Sequence, residues 1–395
     1  MIALKNFSLT ALFIISCIFL YIFFSAVPSM AQQTLKNIEL VEPVNFSLPF
    51  KLCFQKPDKS ALSVEPASDK AESIFIPFQG GKIAKINLSS NPVVWMSDLG
   101  GEISSNLIFD HGKLYLITKV FEEELKKNTN SGKQLINYTL WSLEAETGLT
   151  DWQLGFTSDT TVSLDIYQDE IFLIANNGTV NLIKKTNGKR KILSKRFEQI
   201  ISSPPSFFAD KIYIGTEDNS ILVVSINDAE IVSKIKTVQA AVSALVATED
   251  KLYWGEKKGF VNSFNINNNS LIWSVRYGGE ISSLTLVSNG ILVTSLDNFA
   301  YFTSLQKGKK VWRRRLAGRV LAKPLIIGNF AILITATNNQ AVILDLRNGK
   351  IVNQISLADI GFILSKPLLL KNSLVFSTNK GVFSFVTTNI NCTQN

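Results

Sequence analysis

The chain runs to 395 residues, 46% of them apolar and 18% charged, with a formal net charge of +8 and one histidine. It is too apolar for a disordered polymer, and a lone histidine excludes a zinc centre built from several His ligands. A Ser-His-Asp triad would have to rest on His111, which stands in a polar turn, Asp110-His111-Gly112.

The chain begins as a targeting segment. Lys5 precedes an almost unbroken apolar run, Leu9 to Val27, and Ser29-Met30-Ala31 offers small residues at the two positions a signal peptidase reads. Residues 1–31 are read as a signal peptide cleaved after Ala31 or as a retained N-terminal membrane anchor, since the run is close to the ~20 residues that span a bilayer. In both cases the remainder is exported, which sets nucleic acid aside as a partner. Residues 32–49 carry Pro43 and no period, and read as a linker before a single domain over 50–395.

Past Phe50 the chain repeats itself. Lys211-Ile212-Tyr213-Ile214-Gly215-Thr216 is a β-branched and aromatic run between polar turns, the mark of a strand. Related runs centre on Phe75, Tyr115, Phe172, Tyr253, Leu292, Ile332 and Val375, about 40 residues apart except for a gap of 57 between Tyr115 and Phe172. A period near 40 that returns strands and turns predicts an all-β, eight-bladed β-propeller of four-stranded antiparallel blades, or seven blades if residues 50–72 do not pair.

Each unit reads as strands A to D, with the repeated run as strand B. Strand A of the first unit is placed at Ser60–Val64. Strand C follows turns such as Gly81-Lys82, Gly178-Thr179 and Gly259-Phe260, and a second turn carries Thr147-Gly148, Asn187-Gly188, Lys307-Gly308 or Asn348-Gly349. The last unit stops after its strand C, at Val386, so Phe50–Phe54 is expected to supply its strand D and close the ring. Closure brings Cys53 towards Cys392, because neighbouring strands lie ~4.8 Å apart and a disulfide needs Cα atoms within ~7 Å. An even pair in an exported chain supports a Cys53–Cys392 disulfide, with two unrelated thiols as the alternative. The extra residues of the long gap, Val120 to Gly132, form an insertion on the face of the B–C and D–A loops. Basic residues gather around Lys184–Arg196 and Lys307–Arg319; a solvated rim, anionic lipid or an acidic partner would each suit them. There is no Walker loop or dinucleotide fingerprint; no cofactor is expected.

A Gly-bearing turn, then Trp in strand D, then Val/Ile-Tyr-Ile-Gly-Thr resembles the repeat of pyrroloquinoline-quinone-type propellers over roughly residues 50–387. That resemblance implies that Trp95, Trp152, Trp273 and Trp312 pack between adjacent blades, and that the three units with Leu193, Val232 and Val352 near this place have looser contacts. Within the group the chain looks most like the BamB family of outer-membrane assembly factors. The implied function is a non-enzymatic scaffold in the periplasm, a monomer within a complex, docked on a subunit of β-barrel assembly. Arg196, Phe197, Glu198 and Gln199 stand where that family carries its partner-binding loop. The alternatives are a quinone-dependent dehydrogenase, which shares the repeat, and a repeat paralogue with another binding role.

Overall fold

The structure, a computed structural model, describes residues 44–390 and 392 apart from residues 59, 61, 63, 89–92, 121–134, 244 and 364. Residues 1–31, read as a signal peptide or anchor, and most of the insertion therefore lie outside the described residues. Eight antiparallel sheets follow one another along the chain, and the eighth combines Leu368–Leu370, Ser373–Thr378 and Gly381–Thr387 with Phe50–Pro57 from the other end. The propeller has eight blades, not seven.

Burial explains why strands B and C read as unbroken apolar runs. Both faces of a blade are covered by neighbouring blades, so Lys211–Thr216 and Ser220–Ser225 of blade 4 are buried almost throughout. The outermost strand D alternates instead, as at Thr150–Ser158. The core is accordingly divided among blade interfaces. One cluster joins Phe172, Ile174, Val180 and Leu182 of blade 3 to Ile212, Ile214, Leu222 and Val224 of blade 4. Another joins Ile74 and Ile76 of blade 1 to Val375 and Val382 of blade 8, completing the circle.

Strand A of blade 1 is Ala67–Ser68, not Ser60–Val64. The earlier segment still touches strand B, through Leu62 N donating to Pro77 O at 3.1 Å, but the chain bows away before pairing regularly. The same bow recurs, and a buried serine fills the gap it leaves. Ser105, Ser203 and Ser243 hydroxyls accept from the strand B amides of Ile117, Gly215 and Gly255 at 2.9, 3.1 and 2.9 Å.

Strand D carries a β-bulge at a recurrent place, just before the tryptophan, as between Thr150 and Trp152 or Lys310 and Trp312. A bulge re-aims the side chains around it. In blade 8 it falls between Leu52 and Phe54, so Phe54 takes the tryptophan's place and Cys53 is the bulged residue. Cys53 is disulfide-bonded to Cys392 with Cα atoms 5.4 Å apart. The register also corrects which residues replace tryptophan elsewhere. They are Ile192, Ser233 and Asn353, each one position from Leu193, Val232 and Val352, because the bulges shift the register that a simple count assumes.

The tryptophans bridge blades in one way. Their Nε1 groups donate to carbonyls of the next blade's C–D turn: Trp95 to Ala145, Trp152 to Lys185, Trp273 to Leu305 and Trp312 to Leu346, at 2.8–3.1 Å. Each ring lies against the glycine of that turn. A Cβ on Gly148, Gly188 or Gly349 would fall 2.5 Å from the indole, and on Gly308 2.7 Å. Where the tryptophan is missing the glycine is missing too: Ile192 packs in one cluster with Ala229, and Ser233 precedes a turn with Asn269 at φ 54°. At blade 7, Asn353 instead holds Phe46 O and Leu48 O at 3.2 and 2.6 Å. Phe46, from the segment read as a linker, is 2% exposed and fills that slot beside Phe330.

The charge of Asp165 opposes folding. Strand A of blade 3, Val162–Tyr167, pairs without a bow, and Asp165 lies on the face opposite the core residues Val162 and Leu164, accepting from the Ser163 hydroxyl at 3.5 Å. Burial pushes its carboxyl up to about 6, against the weaker pull of that hydroxyl. Below the unfolded value of 3.8 the group is neutral in both states; above 6 it is charged in both and the burial penalty is fully expressed. Stability should therefore fall as pH rises through this window, by about 3 kcal/mol. Asp165→Asn should remove that loss, so urea midpoints of the two proteins are expected to diverge between pH 4 and 6 and stay parallel above.

Candidate functional site

The site begins with strand D of blade 3, Arg190–Arg196, and the loop that leads into blade 4. Phe197 N donates to Gly178 O at 2.9 Å, and Ile201 N to Asn176 O at 2.9 Å, so the loop is clamped at both ends. It lies close over the blade 3 B–C turn: at Gly178, φ +88°, a Cβ would be 2.6 Å from both Phe197 O and Gln199 O. The clamp turns Arg196 and Glu198 outward, with Gln199 half-buried. Ile200 is 60% exposed beside them, an apolar side chain that the sequence reading passed over.

Phe197 is the correction. It is 4% exposed and belongs to the core between blades 3 and 4, so it cannot meet a partner while the blades stay packed. The reason is a repeat position. The residue after strand D donates its amide to the B–C turn at Leu99, Phe197, Thr237, Tyr277, Leu316 and Leu357 alike. Five of those six are apolar or aromatic, a signal that aligning the units on the end of strand D would have exposed.

Arg196 also lines a cleft of about 410 Å3 between strand D of blade 2 and blade 3, with Arg190, Asp159, Asn177, Phe156 and Leu135. Leu135 is the first described residue after the insertion. The insertion's flank and Arg196, 61 positions apart in sequence, thus meet at one cleft. Its floor is firm: Phe156 stacks on Tyr138 with ring centroids 5.3 Å apart, and Ser194 Oγ donates to Asn181 Oδ1 at 2.6 Å.

The two basic groups differ. Around blade 3, Lys185 pairs with Asp110 at 2.6 Å, Lys191 with Glu170 at 2.9 Å and Lys195 with Glu230. Around blade 6, Lys307, Lys309, Lys310, Arg313, Arg314, Arg315 and Arg319 have no carboxylate partner among the described residues; Lys310 instead donates to Arg276 O at 2.6 Å and lies 4.5 Å from the Tyr277 ring. His111 sits on an exposed turn with Nδ1 2.8 Å from Asp110 Oδ1.

The family profile described as outer membrane protein assembly factor BamB matches residues 51–253 and 257–359. The chain belongs to the BamB family. Among solved structures it is similar to BamB from Moraxella catarrhalis, at 15% identity and a TM-score of 0.65, covering 87% of this chain and 99% of that one. It is also similar to the computationally designed Ika8 protein, at 12% identity and a TM-score of 0.70, covering 86% and 100%. These two likenesses are of fold. No curated protein sequence matches the chain. Family membership places the chain among BamB propellers; the exposed loop and cleft of blade 3 are features of its own surface.

Proposed function

We propose that the protein is an exported, non-enzymatic scaffold that supports assembly of outer-membrane β-barrel proteins by docking a barrel-assembly subunit on blade 3. The observation that carries this reading is the meeting of Arg196 and the insertion's flank at one cleft, with Ile200 exposed on the same loop and a BamB family match across the fold. An exposed arginine beside an exposed aliphatic, set on a loop clamped at both ends, is a surface already organised for binding; ordering it costs little on association. Glu198 and Gln199 flank it as polar rim. Residues 1–31 act as the export signal or as an anchor that keeps the propeller at the periplasmic membrane surface, as a monomer within its complex.

Arg196→Glu combined with Ile200→Asp should weaken capture of the barrel-assembly subunit by at least ~30-fold, since an interface hot spot contributes about 2 kcal/mol or more. Circular-dichroism melting of this variant should match the parent. Phe197→Ala should behave in the opposite way, lowering stability by ~3–5 kcal/mol through the cavity it leaves. Undiminished capture by the surface double variant would reject blade 3 as the docking site.

A further inference from the structure

We propose that a recess in the channel wall of blades 2, 3 and 4 binds a cationic nitrogen group, an ammonium or guanidinium, with Asp165 as its counter-ion. The recess has a structural cause. Strand A of blade 2 is interrupted between Glu102–Ile103 and Ile108–Asp110, and in blade 4 the chain bows between the Ile201–Thr216 bridge and Ser206–Phe208. Strand A of blade 3 runs straight between them. Two bowed neighbours around a straight strand leave a space of about 510 Å3, into which that strand presents Ser163 and Asp165.

The lining decides the ligand's chemistry. Ser104, Asn106, Ser163, Asn176 and Ser202 contribute hydroxyl and amide groups, and Asp165 is the one ionisable side chain among the lining residues. None of the ion pairs formed by the described residues includes it. A carboxylate in a polar recess with no cation beside it favours a positively charged guest, because the pairing is strengthened where water is partly excluded. A hard divalent ion is a poor match, as such ions gather six to eight oxygens and usually more than one carboxylate. The volume falls in the range of small-molecule sites, ~300–1,000 Å3, so the guest carries more than its charged head.

The raised pKa of Asp165 agrees with this geometry. Without a guest the carboxyl is held back by burial, as an unmatched charge would be, and no lysine, arginine, histidine or second carboxylate of blades 2, 3 or 4 lines the recess to hold it otherwise. Proteins commonly carry such a locally destabilising group where a site needs it.

The cationic group could be a free small molecule or a Lys or Arg side chain of a polypeptide reaching into the channel, and calorimetry on the whole propeller separates them. Arginine amide, acetylated on its α-amine, and the capped tripeptide Gly-Arg-Gly are titrated near pH 7.5 and pH 5, with citrulline amide acetylated in the same way as the neutral control, each to about 10 mM. Saturable binding of arginine amide or of the tripeptide is expected, falling about tenfold at the lower pH as Asp165 takes up its proton, with none for citrulline amide. Equal affinity for the two cationic probes identifies a free small molecule, and preference for the tripeptide identifies a polypeptide. Asp165→Asn should abolish binding while melting no lower than the parent. Failure of both cationic probes to bind, or binding unchanged by Asp165→Asn, overturns the proposal. Docking at Arg196 is independent of either outcome.

Discussion

Trp312→Ala is expected to lower the free energy of unfolding by about 3–4 kcal/mol, in the range of large aromatic deletions. The ring stacks on Phe302 with centroids 5.6 Å apart, its Nε1 donates to Leu346 O at 2.8 Å, and its face covers Gly349 of the next blade. Truncation therefore removes packing on both sides of a blade boundary and leaves a carbonyl without its donor. Gly349→Val should be comparably severe: φ is +67°, and the new Cβ would fall 2.5 Å from the indole. The two positions touch, so combining Trp312→Ala with Gly349→Val should cost clearly less than the sum of the singles. Val232→Ala is the control. At 57% exposure on a strand D without tryptophan it should change stability by less than ~0.5 kcal/mol. Chemical denaturation of the five proteins checks all of this; additive effects at Trp312 and Gly349 would mean that the tryptophan does not tie the blades together.

The second large effect is expected at the ring closure. The Cys53–Cys392 bond joins residues 339 positions apart, and the chain-entropy estimate for so long a loop is about 6 kcal/mol as an upper bound. Cys53→Ser with Cys392→Ser should approach that loss, and reduction of the parent should reproduce it. Secondary structure should persist at moderate temperature, because Phe50–Pro57 still pairs with Gly381–Thr387 over its whole length. An identical urea midpoint with and without reductant would show that strand pairing alone secures the closure.

These two features mark what could and could not be read from the amino acids. Blade number, strand order and the borrowed strand followed from the spacing of Phe75 to Val375, since strands B and C are buried on both faces and announce themselves as apolar runs. The pairing of each tryptophan with a glycine 35 to 53 residues later was present in the sequence, but only an interface shows that the two touch. The strand D bulge misplaced its reading by one residue, which is why Asn353 and its hold on Phe46 escaped notice. Phe197 was mistaken for surface because a loop position was judged by neighbours in sequence rather than by its equivalents Tyr277 and Leu316. The recess around Asp165 had no sequence mark at all, since it arises from bowing in the two strands beside it.

The borrowed strand also fixes an order of events during synthesis. Phe50–Pro57 is among the first parts of the folded ring to be made, yet its partner Gly381–Thr387 is among the last. At ~5–20 residues per second, the 339 residues between the two cysteines take roughly 20–70 s to appear. Through that time blades 1 to 7 can each pair internally, while the N-terminal strand waits with its hydrogen-bonding edge unsatisfied and Cys53 has no native thiol to join. The molecule therefore becomes a closed ring only when Gly381–Thr387 arrives, and a chain truncated before Gly381 would keep an open edge however well its other blades had formed.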